Sequence, residues 1–528
     1  MNPLDTSSWR SVPRVLYGPP GTGKTTWLLS DLSRRLEAGT QAGQVGFVSF
    51  TKSAVTEAKG RAAVIVGETP LPYFRTLHSL GWQLLGRPAK VGAADALEMK
   101  QTWGYQISFG DGAADPGTDT GRIQRWHLLR NLSRSLPEAL ERLAAEHGQT
   151  RLLVERYERH RSEAARIDFT DMLMLGMERE MPRLEVLYID EAQDLCPLQI
   201  EFAERLARSA AEAVIAGDDD QAIMRFQGAS PEWFQGMATV GSPLVLPQSY
   251  RIPAAVHVVA ESVIGRVAHR VPKAYAPRSA LGEVTACESA SEAVRLAADE
   301  LREGRTVAYL GRTNSECSDA VEWALGHRVP FIAHAGEGRH PLQSPKVLEA
   351  CRGAVAVRSS SACTGSELVA LLDQVEKPPR GCKAEAKRLR DDEQIDTLRA
   401  SMLGLGLLWR TIRESEGRFD ALAKVSDEVR AYLDAVLDPE GRVPEKVLVI
   451  GTQHWSKGQE WDTVVVDDML PRPSVDALHR GGVEADDEHR IAYVAVTRCR
   501  QKLVILSKAT RSRGAGRYAG RYPFPVAA

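Results

Sequence analysis

The residues of this chain best suited to chemistry lie in two distant runs: Gly18-Pro19-Pro20-Gly21-Thr22-Gly23-Lys24-Thr25, and Leu187-Tyr188-Ile189-Asp190-Glu191-Ala192-Gln193-Asp194. The first fits the phosphate-binding pattern G-x-x-x-x-G-K-[ST], between an apolar strand, Val12 to Tyr17, and a helical pattern, Thr25 to Leu36. Gly18, Gly21 and Gly23 would let backbone N–H groups approach a triphosphate at a helix N-terminus. Lys24 would bring a point charge to the β- and γ-phosphates, the Thr25 hydroxyl would ligate Mg²⁺, and Thr26 completes the ATP-contact set. In the second run a buried-strand pattern, Val186 to Ile189, ends in adjacent carboxylates at the strand edge where ligands bind in open α/β sheets. Asp190 is suited to hold Mg²⁺, directly or through water. Glu191 points elsewhere and is suited to orient and deprotonate an attacking water. Each run has a bland alternative, a glycine-rich turn or an acidic loop; together they predict a site that hydrolyses ATP.

These groups need a sheet to hold them. Apolar runs at Val12 to Tyr17, Val45 to Phe50, Val186 to Ile189, Ala213 to Ala216 and Leu244 to Leu246 alternate with helical patterns, which implies a parallel sheet wrapped by helices. A second set, Val307 to Leu310, Val447 to Ile450, Thr463 to Val466 and Leu503 to Leu506, predicts a second α/β core. The expected organisation is a first core over 1–84 and 167–250 with a helical insert at 85–166. A second core follows over 251–351 and 445–510, with a short helical insert at 352–444 and a flexible basic tail at 511–528. Lys377, Arg380, Lys383, Lys387, Arg388 and Arg390 in the second insert read more readily as a solvated helix face than as a nucleic-acid contact.

A chain of 528 residues is too long for one core, and 43% hydrophobic with 26% charged residues is ordinary for a globular protein. The net charge of −2 means that nucleic-acid binding would need a local groove. The seven cysteines contain no C-x-x-C pair, so neither a zinc site nor an iron–sulfur cluster is suggested. They read as free thiols in a reducing compartment. With no apolar run of membrane-spanning length, the expectation is a soluble, cytoplasmic protein that contacts no membrane.

Further motifs follow in an order that resembles the UvrD/PcrA/Rep-like DNA helicases of superfamily 1 over nearly the whole chain. Phe50-Thr51-Lys52 and Thr76-Leu77-His78-Ser79-Leu80 are similar to the family's first DNA-contact segments, and Asp168-Phe169-Thr170-Asp171-Met172-Leu173 to the stretch before the acidic strand. Gly217-Asp218-Asp219-Asp220-Gln221 with Phe226-Gln227-Gly228-Ala229 resembles the segment linking the γ-phosphate to DNA, with Gln221 as phosphate sensor. Ser249-Tyr250-Arg251 resembles the family's Asn-Tyr-Arg, in which the tyrosine would stack on adenine and the arginine reach the γ-phosphate. Thr452-Gln453-His454-Trp455-Ser456-Lys457-Gly458-Gln459-Glu460-Trp461 resembles the DNA and ribose segment, with Glu460 at the ribose. Tyr493-Val494-Ala495-Val496-Thr497-Arg498 carries the family's arginine finger, Arg498.

The resemblance implies two RecA-like parallel-sheet P-loop NTPase cores, each with an inserted helical subdomain, and a catalytic set of Lys24, Glu191, Gln221, Arg251 and Arg498. The implied cofactors are ATP and Mg²⁺. Phe50, Thr51, Lys52, Thr76, His78, Phe226, Thr452, His454 and Lys457 would contact single-stranded or partly duplex DNA, through phosphates and base stacking. Because Arg498 belongs to the second core, the site would be complete only when the cores close, and ATP would favour that state.

The chain also departs from the family. It has no glutamine before Gln41 to read the adenine edge, has Gln227 where arginine is common and Ser53 where lysine is common, and carries a short second insert. Gly18 to Thr25 is spelled more like the 5′→3′ helicases, whereas the later, longer motifs resemble the 3′→5′ group. The expectation is a 3′→5′ translocase and helicase in repair, replication or recombination. The alternatives are a 5′→3′ helicase, an RNA helicase, and a DNA-sensing ATPase subunit that regulates a nuclease partner in anti-phage defence. A nuclease or a loading factor is the expected protein partner.

Overall fold

The computed structural model describes residues 9–50, 52–109, 114–133, 135–240, 242–336, 338, 340–507 and 518–525. The chain divides into two units: Met1–Arg251 with Val267–Arg278, and Ile252–Arg266 with Ser279–Ala528. The segment 267–278, expected in the second core, therefore packs with the first.

The first unit is built on a six-stranded parallel sheet in the order Tyr73–Thr76, Val45–Ser49, Val186–Asp190, Glu212–Gly217, Arg14–Tyr17 and Leu244–Val245. Val45–Ser49 and Val186–Asp190 are buried at every position, as expected of parallel strands covered on both faces. Side chains alternate between the faces. Val186 and Tyr188 pack with Leu28, Leu32 and Phe47 under helices Lys24–Glu37 and Lys52–Val66. Leu187 and Ile189 pack with Leu80, Phe202 and Leu206 under Leu77–Leu84 and Pro197–Ser209.

A helical insert with its own core, including Trp126, Leu129, Leu153 and Tyr157, leaves this sheet domain through Ala93–Trp103 and returns through Gly148–Glu163. Its two ends lie side by side. Ile167 N–H donates to the Ala89 carbonyl at 3.0 Å and Val91 N–H to the Ile167 carbonyl at 3.0 Å, around a parallel bridge between Lys90 and Ile167. Buried charge ties the insert down. Arg130 donates to Asp168 at 2.7 Å and also pairs with Asp171, and Arg161 pairs with Asp171 too. Asp168 and Asp171 form a reciprocal capping box at the start of helix Phe169–Met174, each accepting the other's backbone N–H at 2.9 Å. The Asp-Phe-Thr-Asp stretch is thus both a helix start and the anionic socket for two arginines of the insert.

The second unit has another six-stranded parallel sheet, in the order Phe331–Ala333, Leu448–Thr452, Val307–Gly311, Trp461–Asp467, Cys499–Leu506 and Glu283–Cys287. The fold is α/β with two parallel sheets. The second insert is not a separate body. Its Leu368, Trp409, Phe419 and Tyr432 share one buried cluster with the sheet residues Val307, Tyr309, Ile450 and Val465. The expected boundary at 351/352 falls inside helix Pro345–Arg358. The basic run does not form the expected helix face: only Lys383 lies in a helix, the short Cys382–Ala386, where it pairs with Asp373 at 2.9 Å, and Arg390, 81% exposed beside Asp392, lies beyond its end.

The tail expected to be flexible contains a strand, Tyr518–Arg521, paired antiparallel with Met469–Pro471. The next residue, Tyr522, is buried beside His489, whose Nδ1 lies 2.7 Å from the phenol oxygen, and under the Arg266 guanidinium. Tyrosine burial opposes the basic composition that suggested disorder; residues 511–517 and 526–528 lie outside the described residues.

Candidate active site

The phosphate loop bridges the end of strand Arg14–Tyr17 and helix Lys24–Glu37. Gly18 N–H donates to the Gly217 carbonyl at 2.9 Å, and the Thr22 hydroxyl to the Pro19 carbonyl at 2.8 Å, which holds the loop closed. Gly21 has φ +72°, and a Cβ there would meet the Arg251 Cβ at 2.4 Å, so no other residue fits. Gly23, with φ 78°, precedes the helix without a side-chain cap, leaving the first-turn N–H groups for an anion.

The acidic strand end lies beside this loop. The Lys24 ammonium bridges Asp190 Oδ1 at 3.2 Å and Glu191 Oε1 at 2.7 Å. Burial by itself lowers the Lys24 pKa, but Asp190 and Glu191 outweigh it and hold the amine above its ordinary value. Asp190 shifts upward, driven first by burial and opposed by Lys24. Asp190 Oδ1 accepts the Glu191 N–H at 2.9 Å, whereas its Oδ2 is buried with no hydrogen-bond partner. Ser49 Oγ, in register with Asp190 on the next strand, is likewise buried and unpartnered. An orphan carboxylate oxygen with an unpartnered hydroxyl on the neighbouring strand is a donor pair that suits a hard divalent cation such as Mg²⁺.

Glu191 occupies the left-handed region at φ 55°, a strain of about 1–3 kcal/mol for a non-glycine residue. Its carboxylate accepts from Gln193 Nε2 at 2.6 Å. The Gln193 side-chain oxygen Oε1 accepts the Asp218 N–H at 2.9 Å, and Asp218 Oδ2 accepts from Gln221 Nε2 at 2.7 Å. One hydrogen-bonded chain therefore joins Glu191 and Gln221. Ser249-Tyr250-Arg251 is fastened to the loop: Ser249 Oγ donates to the Pro20 carbonyl at 2.8 Å and Tyr250 N–H to the Gly21 carbonyl at 2.8 Å. Tyr250 is 72% exposed.

Other predicted residues lie differently. The Thr26 hydroxyl accepts from Arg61 at 2.9 Å and so serves helix contact. Thr76 caps helix Leu77–Leu84 by accepting the Ser79 N–H at 3.2 Å. Lys52 and Phe226 are exposed, Phe50 is half-buried, and Thr51 lies outside the described residues. Sequence reasoning missed Phe169, 59% exposed and edge-on to His78 with ring centres 6.0 Å apart. Its signal was a large apolar residue in the first helical position after a capping aspartate.

Within the second unit, Thr452 Oγ1 accepts the Trp455 N–H at 3.2 Å, and Trp455 stacks on His334 at 4.1 Å. His454 and Lys457 are half-buried nearby in sequence, and Glu460 pairs with Arg500 at 3.1 Å. Arg498 is buried: it donates to the Val494 carbonyl at 2.9 Å and to Thr497 Oγ1 at 3.2 Å. Arg312, which no motif singled out, grips Glu488 through two bonds of 2.9 and 2.7 Å.

Burial is the main cause that pushes His78 and His454 from 6.5 down to about 4; Asp168 opposes it at His78, and Arg312 adds to it at His454. Both rings are neutral at pH 7 and bring no positive charge to a phosphate. Between about pH 6.5 and 4 the unfolded chain binds protons at these sites that the folded chain refuses, so stability falls as pH falls through that window. The drop in thermal midpoint from pH 7 to pH 5 is expected to be smaller in His78→Gln/His454→Gln than in the wild type; an equal drop would refute the assignment.

A phosphate loop and an acidic strand end on one parallel sheet, with a second parallel sheet in the same chain, define a P-loop nucleoside triphosphatase with two α/β cores. Residues 6–239 match the UvrD/REP helicase N-terminal domain and residues 411–510 the UvrD-like helicase C-terminal domain. The chain belongs to the UvrD/REP family of ATP-dependent DNA helicases. It is similar to the ATP-dependent DNA helicase UvrD2 of Mycobacterium tuberculosis H37Rv, at 25% identity over 95% of this chain and 77% of the relative. It is also similar to the ATP-dependent DNA helicase PcrA of Staphylococcus epidermidis RP62A, at 22% identity over 94% of this chain and 82% of PcrA. YjcD of Bacillus subtilis 168 is 24% identical over 97% of this chain and 79% of its own length. Among the described residues no helix is long and apolar enough to cross a membrane, and the seven cysteines are buried and form no disulfide.

Proposed function

We propose that this chain couples ATP hydrolysis to 3′→5′ movement along single-stranded DNA, and so separates strands in repair, replication or recombination. The observation that carries the reading is the hydrogen-bonded chain from Glu191 through Gln193 and Asp218 to Gln221, beside a phosphate loop whose Lys24 already bridges the acidic pair. It links the group that would activate water to the group that would sense the γ-phosphate. Asp190 and Thr25 would hold Mg²⁺, which when bound neutralises charge on the β- and γ-phosphates. Glu191 takes the proton of the attacking water. Arg251, fastened beside the loop, opposes charge on the transferring phosphoryl group. Tyr250 offers its exposed ring to adenine, a stacking contact that does not depend on the missing upstream glutamine. Phe226 and Phe169 offer exposed rings to DNA bases.

The test measures ATP hydrolysis with and without single-stranded DNA, then displacement of duplexes with 3′ or 5′ tails. Stimulation by DNA and preference for a 3′ tail are expected, and Lys24→Ala should abolish both activities. No stimulation would remove the motor reading; a 5′ preference would reverse the direction. A second reading, a DNA-sensing subunit for a nuclease partner, is favoured by the merging of the second insert with the second core. Stable co-purification with a nuclease, without unwinding by either preparation, would select it.

A further inference from the structure

Asp218, Asp219 and Asp220 are fully buried, with ligand oxygens within 4.8 Å of one another. Such a cluster is stable only if cations share its burial. Two arrive from the segment 267–278. Arg270 reaches Asp220 through two bonds of 2.7 and 2.5 Å. The Lys273 side chain, 1% exposed, pairs with Asp219 and sits 3.4 Å from Asp218 and 3.0 Å from Asp220. The Val271 N–H also donates to Asp219, at 2.8 Å. The Lys273 ammonium thus occupies the centre that a metal ion would otherwise suit.

Of the three carboxylates, Asp218 leads to the nucleotide site. It accepts from the Gln221 amide at 2.7 Å, which determines which end of that amide is nitrogen, while its N–H holds Gln193 against Glu191. Burial pushes Asp218 up to about 6, against the pull of Lys273, so its charge at neutral pH depends on that ammonium. Burial likewise opposes a charge on Lys273, but the three aspartates outweigh it and keep the amine protonated.

We propose that Lys273 is a positioning residue for hydrolysis: by fixing Asp218 it presents Gln221, and through Gln193 also Glu191, in one orientation towards the γ-phosphate. This rests on the roles proposed above for Gln221 and Glu191. No motif points to Lys273; only the geometry assigns it.

The test uses the full chain and DNA-stimulated ATP hydrolysis. Lys273→Met is expected to lower kcat by roughly 10- to 100-fold, as small misplacements of reacting groups do, with the KM for ATP little changed because the phosphate loop is untouched. Lys273→Arg should recover part of the loss. If Lys273→Met folds poorly, Lys273→Met/Asp219→Asn keeps the cluster's net charge; Asp219 pairs with Lys273 and accepts from Val271 N–H and from Gln235 Nε2 at 3.2 Å, whereas it is Asp218 that accepts from the Gln221 amide. That variant should regain thermal stability without regaining kcat. The loss from Lys273→Met should also be smaller in a Gln221→Ala background, the non-additivity expected of residues that act through one another. Wild-type kcat in a stable double variant, or strictly additive losses, would overturn the proposal. Normal turnover by Gln221→Ala and Glu191→Gln would instead overturn the reading of the site itself.

Discussion

Glu191→Gln is expected to lower ATP turnover by about 10³-fold while nucleotide affinity changes only a few-fold. The amide has the size of the carboxylate and can keep the 2.6 Å contact with Gln193, but it cannot accept a proton from water. The Lys24 ammonium would still have Asp190 at 3.2 Å, so the phosphate side of the pocket keeps its charge. Single-turnover hydrolysis set beside equilibrium binding of a fluorescent ATP analogue separates the two quantities. Turnover within tenfold of wild type would remove Glu191 from the role of base. Glu191→Gly is a useful companion. It relieves the left-handed strain at φ 55° and should be no less stable than wild type while being as inactive, the pattern of a residue strained for function.

Arg130→Ala should have the largest effect on stability, about 3–5 kcal/mol, because it removes one of the two cations that neutralise a pair of buried carboxylates. Arg130 is 2% exposed between Asp168 and Asp171, and it is joined there by Arg161. Burial alone would raise the Asp168 carboxyl, but Arg130, His127 and Arg161 together hold it below the ordinary range. Removing Arg130 reverses that balance. Urea unfolding followed by tryptophan fluorescence, with Trp126 in the insert core as reporter, measures the loss. A shift below about 1 kcal/mol would show that Arg161 suffices as counter-charge. Arg130→Ala combined with Asp171→Asn should recover part of the loss.

The central strands of both sheets are legible in the sequence because burial on two faces demands unbroken apolar runs such as Val186 to Ile189 and Val464 to Val466. Tyr73–Thr76, Glu283–Cys287 and Phe331–Ala333 were not foreseen. All three are edge strands: polar positions break the pattern in Tyr73–Thr76 and Glu283–Cys287, and Phe331–Ala333 is only three residues long. The phosphate loop and acidic pair were legible because their chemistry restricts residue type and spacing together. Thr76 looked like a DNA contact because of its motif, yet its hydroxyl is used as a helix cap, a role that many loop threonines share. Lys273 carries no local signal. Its only trace in the sequence is indirect: three consecutive aspartates after a buried strand require a cation from somewhere, and distance along the chain hides which one. The tail misled for a related reason, since composition records its arginines but not that Tyr522 finds a pocket beside His489.

The paired ends of the helical insert, pinned around Lys90 and Ile167, make that insert a module that can be exchanged. Chain closure there is already provided by the sheet domain, so an insert of another length adds only about 0.6 kcal/mol of loop entropy for each doubling. What restricts exchange is charge. Any replacement must deliver two cations to Asp168 and Asp171, or arrive with both aspartates neutralised. The second insert offers no such freedom, because its Trp409 and Tyr432 belong to the same buried cluster as the sheet beneath them. Variation in length and shape is therefore open to the first half of this chain, whereas the second half can change its surface but not its bulk.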